Sequence, residues 1–124
     1  MPDSGRYNLQ CPVTIRTISG PPARKSGTLN FAIDLSSQKW CLPTEGCKER
    51  YDVRREGQSL GYAAIRLVEK DSFAEHENAL INLQTGKLAG SLDDAPNGLI
   101  NGFRTYLVEG QCSLMPYSES VRAP

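Results

Sequence analysis

The chain of 124 residues has a single histidine, a single tryptophan and no surplus of either charge, since Lys plus Arg and Asp plus Glu both count 14. A net charge of zero leaves no overall electrostatic footprint for nucleic acid or anionic membrane. The two basic clusters, Arg24-Lys25 and Arg54-Arg55, are short and read as solvated surface charge. No run approaches the roughly 18–20 apolar residues of a membrane helix, so no membrane span is expected. G-x-S-x-G, a P-loop, a dinucleotide fingerprint and H-E-x-x-H are all missing, which leaves no cofactor to expect. The opening Met1-Pro2-Asp3-Ser4-Gly5 lacks the charged region and apolar core of a signal peptide. The protein is then either cytosolic or a mature chain behind an added start Met, and the cysteines argue for the second.

The four cysteines are Cys11, Cys41, Cys47 and Cys112, and four allow three connectivities. Cys41 and Cys47 flank a short loop with Pro43 and Gly46, short enough for their Cβ atoms to meet. Cys11 and Cys112 fall near the chain ends, on the expected first and last strands, which are neighbours in a closed antiparallel sheet. Pairing 11 with 112 and 41 with 47 is therefore the favoured arrangement. On chain entropy the long bridge contributes up to about 4.7 kcal/mol and the short one about 2.4 kcal/mol. Two bridges fit an oxidising compartment, periplasmic or secreted. A cytosolic metal site is the rival reading, but zinc sites usually show paired C-x₂₋₄-C spacings, and here one C-x₅-C has two scattered partners.

Alternation of apolar and polar residues dominates what remains. Tyr7, Leu9, Cys11, Val13 and Ile15 alternate with polar positions, as do Leu29, Phe31, Ile33 and Leu35, which is the period of a half-buried strand. Pro12 cannot donate to a ladder and suggests an edge or a bulge. Arg50 to Arg55 alternates weakly. Leu60 to Glu69 fits either a strand or a helical stripe, and Gly61 and the β context favour the strand. Ile81-Asn82-Leu83, a turn and Lys87 echo Ile33-Asp34-Leu35, a turn and Lys39, with Gly86 supplying positive φ. The last strand should run from about Phe103 to Leu114, bulged near Phe103, with Cys112 and Leu114 on its apolar face. The whole reads as one all-β domain over 1–124, a small antiparallel barrel or sandwich of about seven or eight strands with little or no helix. Residues 1–5 and 118–124 are expected to be flexible tails, with the end of the chain partly packed through Tyr117.

Candidate chemistry is sparse. His76 between Glu75 and Glu77 could offer metal ligands or an acid/base pair, but a polar surface loop is the plainer reading. Asp93-Asp94 could bind calcium, yet no D-x-D-x-D-G pattern follows, and a turn is expected. No catalytic or metal-binding residue is assigned. Trp40 beside Cys41 should pack on the bridge, with ligand stacking as the alternative. Tyr7, Tyr51, Tyr62, Tyr106 and Tyr117 could line a pocket, although a side-chain-filled interior competes with that. Trp40 and Tyr106 are the candidate contacts for a ligand or partner.

A set of landmarks runs from the first strand to the tail. They are Tyr7 with Cys11 four residues on, Phe31-Ala32-Ile33-Asp34-Leu35 with Trp40-Cys41 after it, and Cys47. Asn82 with Thr85-Gly86, Gly110-Gln111-Cys112 and Pro116-Tyr117-Ser118 complete it. In these the chain resembles a family of small exported alphaproteobacterial β-proteins of unknown function. The resemblance implies a secreted β-protein with two bridges and adds no catalytic residue. The leading expectation is a non-catalytic exported binding or interaction module of the cell envelope, engaging an envelope protein or a small ligand. A small hydrolase with an unrecognised site and a structural envelope protein are the alternatives.

Overall fold

A computed structural model describes residues 1–2, 4–19, 24–57, 61, 63–68, 75–94 and 104–121, with the backbone alone described at 18–19, 75–78, 91–94 and 104–106. Nine strands follow in order: β1 (Arg6–Ser19), β2 (Arg24–Asp34), β3 (Lys39–Cys41), β4 (Tyr51–Glu56), β5 (Ala64–Val68), β6 (Glu75–Asn82), β7 (Lys87–Asp94), β8 (Arg104–Gln111) and β9 (Ser113–Met115). The described residues contain one 3-10 turn, Pro43–Glu45, and no α-helix. Each of β1 to β7 pairs antiparallel with the next, and β1 also pairs with β8. That closure makes an eight-stranded barrel rather than a sandwich, and it removes the open edges a sheet otherwise presents. β9 adds a ninth strand against the start of β1. The ambiguous stretch is a strand over Ala64–Val68.

The period-two pattern explains the interior. On β1, Tyr7, Leu9, Cys11 and Val13 are all buried, and register sets Tyr7 opposite Ile33 and Leu9 opposite Phe31. Across the barrel, Val53 faces Leu67 and Ile65 faces Ile81 in the same way. Ile33, Ile65 and Ile81 have no exposed surface. Each such side chain stabilises the fold by about 1.5–3 kcal/mol on burial. Eight strands enclose a space just wide enough for side chains to fill.

Two turns at one end of the barrel are built alike. Asp34 Oδ1 accepts the backbone N–H of Ser36 at 3.0 Å and of Ser37 at 3.3 Å. Asn82 Oδ1 accepts those of Gln84 at 2.8 Å and Thr85 at 3.1 Å. Leu35 and Leu83 follow and are buried in both. Four residues after Asp34 and Asn82 stand Gln38 at φ 57° and Gly86 at φ 78°. The similarity of the two segments is thus a shared turn in which a short side chain replaces backbone acceptors. The Ser36 hydroxyl, then the Ser36 and Ser37 backbone, hold the Asp34 carboxyl below its ordinary value.

Several local expectations are corrected. Pro12 lies within a strand paired on both sides; instead of an edge, it marks a gap in the ladder between Val13–Gly110 and Gln10–Ser113. The expected last strand is β8 and β9, which keep one register against β1 but part at Cys112, whose N–H donates to Gly86 O at 2.8 Å. Beyond that point β7 no longer flanks the chain, so Leu114 is 50% exposed rather than buried. A bulge does occur at this seam, on β1 between Thr17 and Ser19. Phe103, the Gly20-Pro21-Pro22 turn and the turn through Asn97-Gly98 lie outside the described residues. Both ends are docked where they are described: the Met1 amino group donates to Leu83 O at 2.7 Å, and Val121 N–H donates to Pro43 O at 3.0 Å.

Candidate functional site

Cys11 is bonded to Cys112 and Cys41 to Cys47, leaving no free cysteine. The first bridge lies inside the barrel and joins residues directly opposite one another across the β1 seam. The second lies outside it. Cys41 follows Trp40 on β3, and adjacent strand residues point to opposite faces. Trp40 therefore turns inward, away from the bridge, where its ring meets Phe31 edge-on at 5.6 Å and Tyr51 at 4.9 Å. It is 3% exposed, and its indole N–H donates to Val68 O at 3.4 Å. The interior position corrects the expectation that this ring covers the disulfide and leaves it no outer surface for a ligand.

The outer face carries two features. The first is an open groove of about 520 Å³ across β2, β1 and β8. Thr14, Ser26 and Glu109 form one cross-strand row of it, and Arg16 and Arg24 the next. Arg16 lies 3.7 Å from Glu109, an exposed pair worth little in stability. Arg24 makes no ion pair among the described residues. Gly110 shapes the seam beside it: a Cβ there would run into the Pro12 carbonyl oxygen and the Val13 side chain. The groove is mixed in character, with the Arg16 and Arg24 guanidinium groups and Glu109 set among the apolar surface of Pro12 and Val13.

The second feature is a strap, residues 116–121, laid over the outside of β1, β2 and β3. Asn8 is 4% exposed although it faces outward, because Ser118 covers it. Asn8 Nδ2 donates to Ser118 O at 2.9 Å, and Ser118 N–H donates to Asn8 Oδ1 at 3.1 Å. Tyr117 packs on Ala32, Cys41 and Cys47, with the Arg6 guanidinium 5.6 Å from its ring. Its hydroxyl donates to Glu119 Oε2 at 2.6 Å, and Arg50 donates to Glu119 Oε1 at 2.8 Å. The Tyr117 and Arg50 hydrogen bonds hold the Glu119 carboxyl below its ordinary value. Burial, and then the Glu119 hydrogen bond, push the Tyr117 phenol above its own.

The tyrosines do not line one pocket. Tyr7 and Tyr51 face the core and Tyr117 the outside. Tyr106 is opposite Thr17 and Leu92 in register, its side chain outside the described residues, as is Tyr62. Glu75, His76 and Glu77 open β6 rather than a loop, and Asp93 and Asp94 close β7 rather than a turn. Register sets His76 opposite Asp93 and Glu75 opposite Asp94, a juxtaposition that local spacing cannot reveal. Among the described residues no group of three or more His, Cys, Asp or Glu is placed to hold a metal ion. No helix among them is long and apolar enough to cross a membrane. The two disulfides fit an oxidising extracellular or periplasmic environment. Neither a known family model nor a curated protein matches the chain.

Proposed function

We propose that the chain is a non-catalytic binding or interaction module of the bacterial cell envelope, exported and oxidised, that engages an envelope protein or small ligand through the β2–β1–β8 groove. The groove carries the reading: an open recess of about 520 Å³ with Arg16 and Arg24 in its wall, beside a seam that a disulfide locks. A recess on a rigid wall binds without an ordering cost, which is what a recognition surface needs. The two bridges and the resemblance to small exported alphaproteobacterial proteins support the periplasmic or secreted location.

The test is capture of a crosslinked partner from a bacterial periplasmic extract by the oxidised chain, against an Arg16→Glu/Arg24→Glu variant. The wild type should retain a defined partner that the charge-reversed variant loses. Equal retention by both removes the groove from the reading. Turnover of chromogenic ester, phosphoester or peptide substrates that disappears in His76→Ala would replace it with the hydrolase alternative.

A further inference from the structure

The two disulfides differ in their surroundings. Cys11 and Cys112 lie inside the barrel, and a reductant reaches them only if the β1 seam opens. Cys41 and Cys47 lie on the outer wall beneath Tyr117, in a loop whose Glu45, Gly46 and Lys48 are exposed. Cys47 is the most exposed of the four cysteines, at 9% against 1% for Cys41. It is also held at φ 54°, a left-handed backbone that a residue with a Cβ enters unwillingly. Arg50 Nη1 lies 3.9 Å from Cys41 Sγ and belongs to the same side chain that grips Glu119 of the strap.

We propose that Cys41–Cys47 is a site of thiol–disulfide exchange for a dithiol reductant, and that opening it frees residues 116–121 from the barrel wall. A dithiol thiolate attacks the sulfur of Cys47, the more exposed residue of the pair, and the Cys41 thiolate leaves. Arg50 stabilises that thiolate, and a less basic thiolate leaves faster. The second thiol of the reductant then attacks the mixed disulfide and releases Cys47. The reductant ends as a cyclic disulfide, having given two electrons and two protons to the cysteine pair. Cys47 is then free to leave its left-handed conformation, and the loop carrying the Pro43 carbonyl loses its closure. Val121 loses its anchor and Tyr117 its floor, while the barrel stays closed through Cys11–Cys112. Coupling runs both ways: the docked Tyr117 ring shields the bridge, and the intact bridge holds the site on which Tyr117 docks.

The experiment reduces the full chain with graded dithiothreitol, alkylates the thiols, and maps them by mass. Cys41 and Cys47 should be labelled about tenfold or more faster than Cys11 and Cys112, and Tyr117→Ala should widen that gap. Amide hydrogen exchange at Ser118 and Val121 should rise about tenfold or more on selective reduction, with β1 core amides unchanged. The Cys41→Ser/Cys47→Ser variant should show the same loosening without reductant. Loss of both bridges together, prior loss of Cys11–Cys112, or unchanged exchange at Ser118 and Val121 after selective reduction would each overturn the proposal.

Discussion

Asp34 and Asn82 do the same work with different charge, and the residues four positions on make the equivalence testable. Gly86 has φ 78°, and a Cβ there would lie 2.7 Å from Gln111 Nε2 and 2.8 Å from Cys112 O. Gly86→Ala should cost about 2 kcal/mol or more by denaturant titration, through backbone strain and overpacking together. Gln38 holds the corresponding conformation without being glycine. Gln38→Gly should be neutral or stabilising by up to about 1 kcal/mol, since relief of left-handed strain opposes the added unfolded entropy. Opposite signs at matched positions would establish the shared turn; a loss at both would refute it. Gly110→Ala should destabilise by about 2–4 kcal/mol, because the atoms its Cβ would meet belong to β1 at Pro12 and Val13. The turns were legible in the chain because an Asx turn is local. The need for glycine at position 110 was not, because it is set by a strand about a hundred residues away.

Among elements, the strap carries two groups shifted in opposite directions, so its docking should respond to pH at both ends of the scale. Glu119 has a lowered value in the docked state, so its contribution is complete above the ordinary 4.5 and is lost as pH falls through the lowered value. Tyr117 has a raised value, so its contribution is complete below the ordinary 10.0 and is lost as pH rises through the raised one. The strap should therefore be docked across the interval between, and loosen at both extremes. Amide shifts of Ser118 and Val121 followed against pH check this, and Glu119→Gln should abolish the acid limb alone. An unchanged acid limb in that variant would assign the loosening to other carboxylates. Strand periodicity marked β1 and β2 well, since alternation is the direct imprint of a buried face. It also held the information that Trp40 and Cys41 face opposite ways. The strap left only Tyr117 as a signal, because short polar segments dock through cross-chain bonds such as Asn8–Ser118, which have no period. β9 was obscured for a related reason: Leu114 keeps the parity of Cys112, but its neighbour strand has ended.

For the whole molecule, the two bridges should be unequal in stability as well as in reactivity. Cys11→Ala/Cys112→Ala should cost up to about 4.7 kcal/mol and Cys41→Ala/Cys47→Ala up to about 2.4 kcal/mol, compared by urea midpoint at constant slope. Equal losses would mean that the closed barrel already restrains the long loop. All-β class and strand number were legible from pattern, and the pairing of cysteines from their placement on terminal strands. Closure was not decided by pattern alone, because barrel and sandwich share it and differ only in whether β1 meets β8. The groove was invisible for the same reason: Arg16, Arg24 and Glu109 become neighbours only through the register of three strands.

The Cys11–Cys112 bridge also has a mechanical consequence. Tension applied between the two chain ends passes from Cys11 directly to Cys112, and the barrel strands between them carry none of it. Only residues 1–10 and 113–124 can pay out, roughly 80 Å of extended chain, against roughly 440 Å once the bridge is reduced. Stretched by its ends, the oxidised protein is a short tether with a barrel hanging from it.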